Sequence, residues 1–417
     1  MQPDADEKKV LVVGGGFGGV ACALALARHA GTRAKITLVS DKPHLEYTPA
    51  LYRVVTGSPP LEVCIPLQEI FSGTRVERVT DAITSVDILN KRAMGSVGAT
   101  YRFDYVVLAM GSQTSYFNIP GLAEFSFGFK SITEALRLKD HIHRLFDECK
   151  PPHGSADMKM HFVVVGAGAS GVELAGELAA YTRTLAKKYD IPRSLVTIDL
   201  VEAASRIVPS FPEAVALKIE KRLHGLGVNI FTNRPMLKAE LEEINLKGLT
   251  LKTDTVVWTA GVKPNTLYSR TQGLAFDPAG RVLADEYLRA KNLTHVFVIG
   301  DGAATPYAGM AQTAARDGKI AAQNIINSLD EKPLIPYQPK KPYHSLPVGY
   351  GWAATLLGLA TIYGRLGWFL RKLADLRYFS SILPPGKAIT AFQSGKTLCK
   401  SCEICSPGSI NQNIYNP

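Results

Sequence analysis

Two glycine-rich turns carry most of the chemistry legible in this chain. Gly14, Gly16 and Gly19 stand in Gly14-Gly15-Gly16-Phe17-Gly18-Gly19, and Gly166, Gly168 and Gly171 in Gly166-Ala167-Gly168-Ala169-Ser170-Gly171. Each turn follows a short β-branched run, Lys9 to Val13 or His161 to Val165. Each precedes an Ala/Leu-rich helical pattern, Val20 to His29 or Val172 to Leu185. In such a unit the first glycine makes the tight turn and the second lets a pyrophosphate approach the backbone. The third lets helix and strand pack closely, and the helix N-terminus adds partial positive charge. One glycine turn is weak evidence, but here the whole unit is repeated.

A carboxylate or hydroxyl should end the second strand of each unit, where it can hold a ribose. In the first unit, Ile36 to Val39 leads to Ser40 and Asp41, and either could serve. In the second, Val196 to Val201 leads to Glu202. A carboxylate there accepts both ribose hydroxyls of NADH and repels a 2′-phosphate, which favours NADH over NADPH. Arg206 is close enough in sequence to offer a 2′-phosphate a cation. Two dinucleotide sites imply a dinucleotide cofactor and a dinucleotide substrate, read as FAD on the first turn and NADH on the second. Asp301 follows the strand His295 to Ile299 and stands between Gly300 and Gly302. It suits a ribityl hydroxyl of a flavin, and it could also cap the next helix.

The elements that must hold these groups read as α/β, with two Rossmann-like dinucleotide-binding domains and a C-terminal segment. Further strands are expected at Tyr105 to Ala109 and Thr255 to Thr259. The expected division is 1–119 and 266–335 for the FAD-binding domain, 120–265 for the NADH-binding domain, and 336–417 for a membrane-associating segment and tail. The composition allows this: of 417 residues, 46% are hydrophobic and 20% charged, so a sizeable core can form. The net charge of +10 suits nucleotide phosphate or anionic lipid. No nucleic-acid module is evident. The start of the chain, Met1 to Lys9, has no apolar region of the signal-peptide kind.

Several segments together narrow the reading. They are the first glycine turn, Ala109-Met110-Gly111, Gly171-Val172-Glu173-Leu174-Ala175-Gly176-Glu177-Leu178, Thr259-Ala260-Gly261-Val262 and Ile299-Gly300-Asp301. Thr48-Pro49-Ala50-Leu51-Tyr52 and Ala311-Gln312-Thr313-Ala314 add to them. Over roughly residues 9 to 380 the chain resembles the type II, non-proton-pumping NADH:quinone oxidoreductases. The resemblance implies a peripheral flavoenzyme on the cytoplasmic face of the cell membrane. It would pass a hydride from NADH to FAD and two electrons on to a membrane quinone. It implies that Thr48, Pro49, Ala109, Gly111 and Gly300 sit by the flavin, and Ser170 and Gly261 by NADH. Ala311 and Gln312 would lie against the flavin and the quinone channel. Glu173 would lie near the nicotinamide and quinone side and handle charge or protons, although a carboxylate in the first helical turn is also favoured by the helix dipole alone. Where that family carries a second Gln, four residues after the first, this chain has Arg316. That departure leaves the quinone headgroup contact open.

Other readings remain. A sulfide:quinone oxidoreductase shares the architecture but needs cysteines around the flavin, and none lies between Cys149 and Cys399. A soluble NADH-dependent flavoprotein reductase of an electron carrier, and a redox sensor without turnover, are compatible with both turns. Cys64 has no nearby partner for a disulfide reductase. Cys399, Cys402 and Cys405 form a C-x2-C-x2-C run with no evident fourth ligand, so no metal is assigned.

The C-terminal segment is expected to hold a hairpin or short strands over Gly351 to Gly364, then an amphipathic helix ending at Pro384-Pro385. Leu366, Phe369, Leu370, Leu373 and Leu376 recur at helical spacing. Arg365, Arg371, Lys372 and Asp375 fall mostly off that face, with Arg377 at its edge, and Trp368 and Tyr378 are interfacial types. Such a helix could lie in the headgroup plane with its cations on anionic lipid. It could instead pack on the body or on a second copy in a homodimer.

Overall fold

The computed structural model describes residues 7–149, 159–358 and 360–394. The helices that position side chains are, in chain order, α1 Phe17–His29, α2 Leu51–Val55, α3 Ile132–Cys149, α4 Ala169–Lys188, α5 Glu213–Gly225, α6 Ala311–Leu329, α7 Gly364–Ile382 and α8 Pro385–Ser394.

Two parallel five-stranded sheets form the frame. The first has the spatial order Val296–Val298, Tyr105–Leu108, Lys8–Val13, Ala34–Ser40, Glu77–Thr80. The second has the order Phe127–Gly128, Thr255–Trp258, Met160–Val165, Val196–Val201, Val228–Phe231. In both, the strand before the glycine turn is central, buried and rich in valine, as parallel strands covered on two faces must be. Its two neighbours leave it in opposite directions. That is a topological switch point, where the carboxyl ends of the strands open a crevice.

Register then decides which residues meet. Val13 pairs with Val39 on one side and Leu108 on the other, so Gly14, Ser40 and Ala109 come together. Val165 pairs with Val201 and Trp258, so Gly166, Glu202 and Thr259 do the same. The last strand of the first sheet, Val296–Val298, follows the whole second sheet in sequence. The chain crosses between the sheets twice, and the antiparallel pair Ser112–Thr114 with Val262–Pro264 ties the crossings together.

The strands expected over Gly351 to Gly364 are present as Ala353–Leu357 and Ala360–Ile362, and His344–Pro347, outside that stretch and not expected as a strand, joins them in an antiparallel sheet. The orientation of α7 is a correction. Arg371 and Asp375 are buried, at 6% and 1% exposure, instead of meeting lipid. Leu366, Phe369 and Leu373 point outward, at 59%, 53% and 41%. The charged residues tolerate burial because they satisfy each other and further partners. Gly367 lets the helix approach closely, since a Cβ there would strike the Ala353 carbonyl oxygen. Among the described residues no helix is long and apolar enough to cross a membrane.

Candidate nucleotide cavity and the charged cluster beside it

A cavity of about 550 Å³ opens at the switch point of the first sheet. Gly14, Gly16 and Phe17 border it, and so do Ser40, Asp41, Thr48, Ala109 and Gly111. Gly300, Asp301 and Ala311 close the far side. Gly14 has a φ of +114°, and a Cβ there would strike the Ala109 carbonyl oxygen. A Cβ at Gly19 would strike the Gly14 carbonyl oxygen, so this glycine serves helix–strand packing and does not border the cavity. Gly16 has open space where a Cβ would stand, and no side chain caps the N-terminus of α1. Backbone N–H groups there are left for an anion.

Polar groups not singled out from the sequence complete the cavity. Ser112 donates to the Asp301 carboxylate, and Lys130 Nζ stands 2.8 Å from Ser112 Oγ and 3.5 Å from Asp301. Lys42 Nζ donates to Glu46 at 2.6 Å. His44 borders the cavity with both ring nitrogens buried, and its Nε2 stands 3.7 Å from the Glu46 carboxylate. An uncapped helix N-terminus fits a phosphate-bearing ligand. Cys22, Cys64 and Cys149 are buried, and none borders the cavity.

The second turn repeats the geometry. Gly166 has a φ of +107°, and a Cβ on Gly171 would strike the Gly166 carbonyl oxygen. Gly168 and Ser170 are exposed at the turn, and Gly168 has open space where a Cβ would stand. Glu202 accepts from the N–H of Ala167 at 2.7 Å and of Ala204 at 2.9 Å, which holds its carboxylate at the turn. Arg206 is tied into its own loop, donating to the carbonyls of Phe211 and Pro209 at 3.0 and 2.7 Å. Gly261 lies under Phe117, whose ring a Cβ would strike.

Beside the first cavity lies a charged cluster built by three helices. α4 begins at Ala169, so Glu173 lies past its first turn and the helix-dipole reading of this carboxyl falls away. Glu177 follows one turn later. Both side chains are half-buried and interact with Arg53 of α2. Burial pushes Glu173 up to about 8, against the pull of Arg371 and Arg53. Burial likewise pushes Glu177 up to about 7, against Arg53, Lys372 and Arg222. Asp375 of α7 accepts from Tyr47 at 2.6 Å, from Arg53 at 2.8 Å and from Arg371. Arg371 also donates to the Pro49 carbonyl at 2.9 Å, next to Thr48. Burial opposes ionisation of Asp375, but Arg371, Arg53 and the Tyr47 hydroxyl outweigh it and hold the carboxyl below its ordinary value.

Gln312 is placed differently from Ala311. Its amide clamps the backbone of Tyr343, donating at 3.0 Å and accepting at 3.3 Å, and it does not border the cavity. Arg316 is half-buried, with its Nε unpartnered among the described residues. No cluster of His, Cys, Asp and Glu among the described residues is placed to hold a metal ion. Cys399, Cys402 and Cys405 lie outside the described residues.

Residues 8–318 match the model of one family, pyridine nucleotide-disulphide oxidoreductase. The chain belongs to that family. It is therefore an oxidoreductase, and membership implies a flavin cofactor. It is similar to the type II NADH:quinone oxidoreductase of Staphylococcus saprophyticus, at 27% identity over 413 residues, covering 94% of this chain and 99% of that one. Its fold is similar to that of NDH2 from Plasmodium falciparum in complex with NADH, with a TM-score of 0.82 at 17% identity, covering 94% of this chain and 100% of that one. The sulfide:quinone oxidoreductase of Aquifex aeolicus is also similar in fold, with a TM-score of 0.75 at 18% identity and 92% coverage of both chains. Among family members that use a cysteine pair, such a pair must lie by the flavin, and no described cysteine of this chain does so.

Proposed function

We propose that this protein oxidises NADH and reduces a membrane quinone, with FAD in the cavity of the first sheet and NADH on the glycine turn of the second. The observation that carries the reading is the cavity at the first switch point, bordered by Gly16, Ser40, Thr48 and Asp301. Its likeness over nearly the full length to a type II NADH:quinone oxidoreductase supports the same donor and acceptor. The division into 1–119 with 266–335, 120–265 and 336–417 follows the two sheets.

FAD, when bound, supplies hydride acceptance and two-electron donation; the protein supplies the positions. The N–H groups after Gly16 would hold the pyrophosphate, Ser40 or Asp41 the adenosine ribose, and Asp301 a ribityl hydroxyl. Gly111 and Gly300 leave room, and Thr48, Pro49 and Ala311 flank the ring. Glu202 would accept the NADH ribose hydroxyls, while Gly168, Ser170 and Gly261 border the rest of the nucleotide. Reducing a quinone to a hydroquinone takes up one proton beyond the hydride. Glu173 and Glu177 are the groups built to hold it, because burial pushes Glu173 up to about 8 and Glu177 up to about 7, so both can carry a proton near neutral pH. Gln312 would act by fixing the backbone of Tyr343, just before the strand His344–Pro347.

The outward apolar face of α7, with Leu366, Phe369 and Leu373, would rest in the membrane surface where the quinone is. The cytoplasmic side is the face on which NADH is available. Steady NADH oxidation by the purified protein with a short-chain quinone, without oxygen, tests the reading. Absence of turnover in flavin-loaded protein contradicts it.

A further inference from the structure

A second cavity, of about 260 Å³, lies between α1, α6 and α7, and no residue of either glycine turn lines it. Its floor is apolar: Leu24 of α1, Ile326 of α6 and Ile382 of α7. Its rim is cationic, with Arg28 of α1 and Lys319 of α6, and no acidic residue lines it. Arg28 and Lys319 make no ion pair among the described residues. Two unpaired cations over an apolar floor favour a ligand with an anionic head and an apolar body.

Tyr378 of α7 lines the same cavity, and its hydroxyl is buried without a hydrogen-bond partner among the described residues. The Tyr378 ring stacks on Tyr47 at 5.3 Å between centroids and lies 5.1 Å from Phe17. Phe17 borders the nucleotide cavity, so the Phe17–Tyr378 ring pair stands between the two cavities.

The source of the ligand follows from α7 itself. This helix exposes Leu366, Phe369 and Leu373 on one side and lines the cavity with Tyr378, Ser381 and Ile382 on another. This inference rests on the proposed seating of that apolar face in a membrane surface, from which lipid headgroups would reach the rim of the cavity. The volume is below the roughly 300–1,000 Å³ of a pocket that encloses a whole ligand. It suits a headgroup and the first part of one acyl chain, with the remainder staying in the membrane.

We propose that the cavity between α1, α6 and α7 is a binding site for one anionic membrane lipid. The lipid phosphate would sit on Arg28 and Lys319, with its proximal acyl chain over Leu24, Ile326 and Ile382. The site is independent of the electron acceptor, so its test is a binding measurement and not turnover.

The test is calorimetric titration of the full flavin-loaded protein with monomeric dihexanoyl phosphatidic acid, dihexanoyl phosphatidylcholine and inorganic phosphate. The phosphatidic acid is expected to bind at one site, at least about ten-fold tighter than the phosphatidylcholine, and phosphate alone much more weakly than either. Arg28→Gln with Lys319→Gln should weaken the phosphatidic acid by about ten-fold or more. Ala25→Phe, which fills the cavity and keeps both cations, should also remove it. Unchanged circular dichroism and flavin content in both variants separate this loss from misfolding. Equal binding of the two lipids, binding unaffected by either variant, or phosphate binding as tightly as the lipid would each overturn the proposal.

Discussion

The Tyr47 hydroxyl donates to the Asp375 carboxylate at 2.6 Å, joining the loop beside the nucleotide cavity to a helix that begins more than 300 residues later. Arg53 and Arg371 complete the junction, and Arg371 reaches the backbone of Pro49. The loop that flanks the cavity and the helix that carries the outward apolar face are therefore one mechanical unit.

Asp375→Asn should destabilise the protein by about 3–5 kcal/mol, because the buried Arg371 and the half-buried Arg53 lose their counter-charge. Asp375 is held below its ordinary value in the folded chain. Its contribution is therefore present at neutral pH and is lost as pH falls through the acid range. Denaturant unfolding of both proteins should show a wide gap at pH 7 that closes only as pH falls below about 4. A gap that stays constant with pH would mean that the carboxylate charge plays no part.

Glu173→Gln should slow reoxidation of the reduced flavin by quinone about 100-fold, in line with the loss of a positioned general acid. Reduction by NADH should change little. Because burial pushes Glu173 up to about 8, the reoxidation rate of the unaltered protein should fall as pH rises through about 8. The variant should lack that limb. Stopped-flow rates across pH check both points, and equal profiles for the two proteins would leave Glu173 a structural residue.

Glu202→Gln should lower the preference for NADH over NADPH by about ten-fold or more, since a hydrogen bond to a charged group is worth about 1.5–3 kcal/mol. The ratio of kcat/KM for the two nucleotides measures this. Arg206 is tied to the carbonyls of Phe211 and Pro209, so Arg206→Ala should leave the ratio unchanged.

Replacing Leu366, Phe369 and Leu373 together by Ser should release the protein from lipid vesicles, since each Å² of apolar surface that the bilayer no longer covers weakens binding by about 25 cal/mol. Turnover with a short-chain quinone should persist. Co-sedimentation with vesicles is the measurement, and retained binding would place the membrane surface elsewhere.

Both glycine turns and their strands were legible in the sequence because their constraints are local. A positive φ at Gly14 and Gly166, and the packing at Gly19 and Gly171, act within one turn of chain. The polar lining was not legible in the same way. Ser112 meets Asp301 across 189 positions, and His44 reaches the cavity through its own short strand. Helical spacing showed the apolar stripe on α7 but not which side of the helix the body covers. The signal that could have decided it was Arg371 with Asp375, opposite charges one turn apart that can be buried as a pair. The same spacing would have added Glu177 to Glu173.

The central claim is tested most directly by anaerobic titration of the flavin-loaded protein, following flavin absorbance. NADH is added first and a short-chain quinone second, with sulfide given to a separate sample. The account predicts bleaching by NADH, full recovery with quinone and no response to sulfide. Bleaching by sulfide and not by NADH would contradict it.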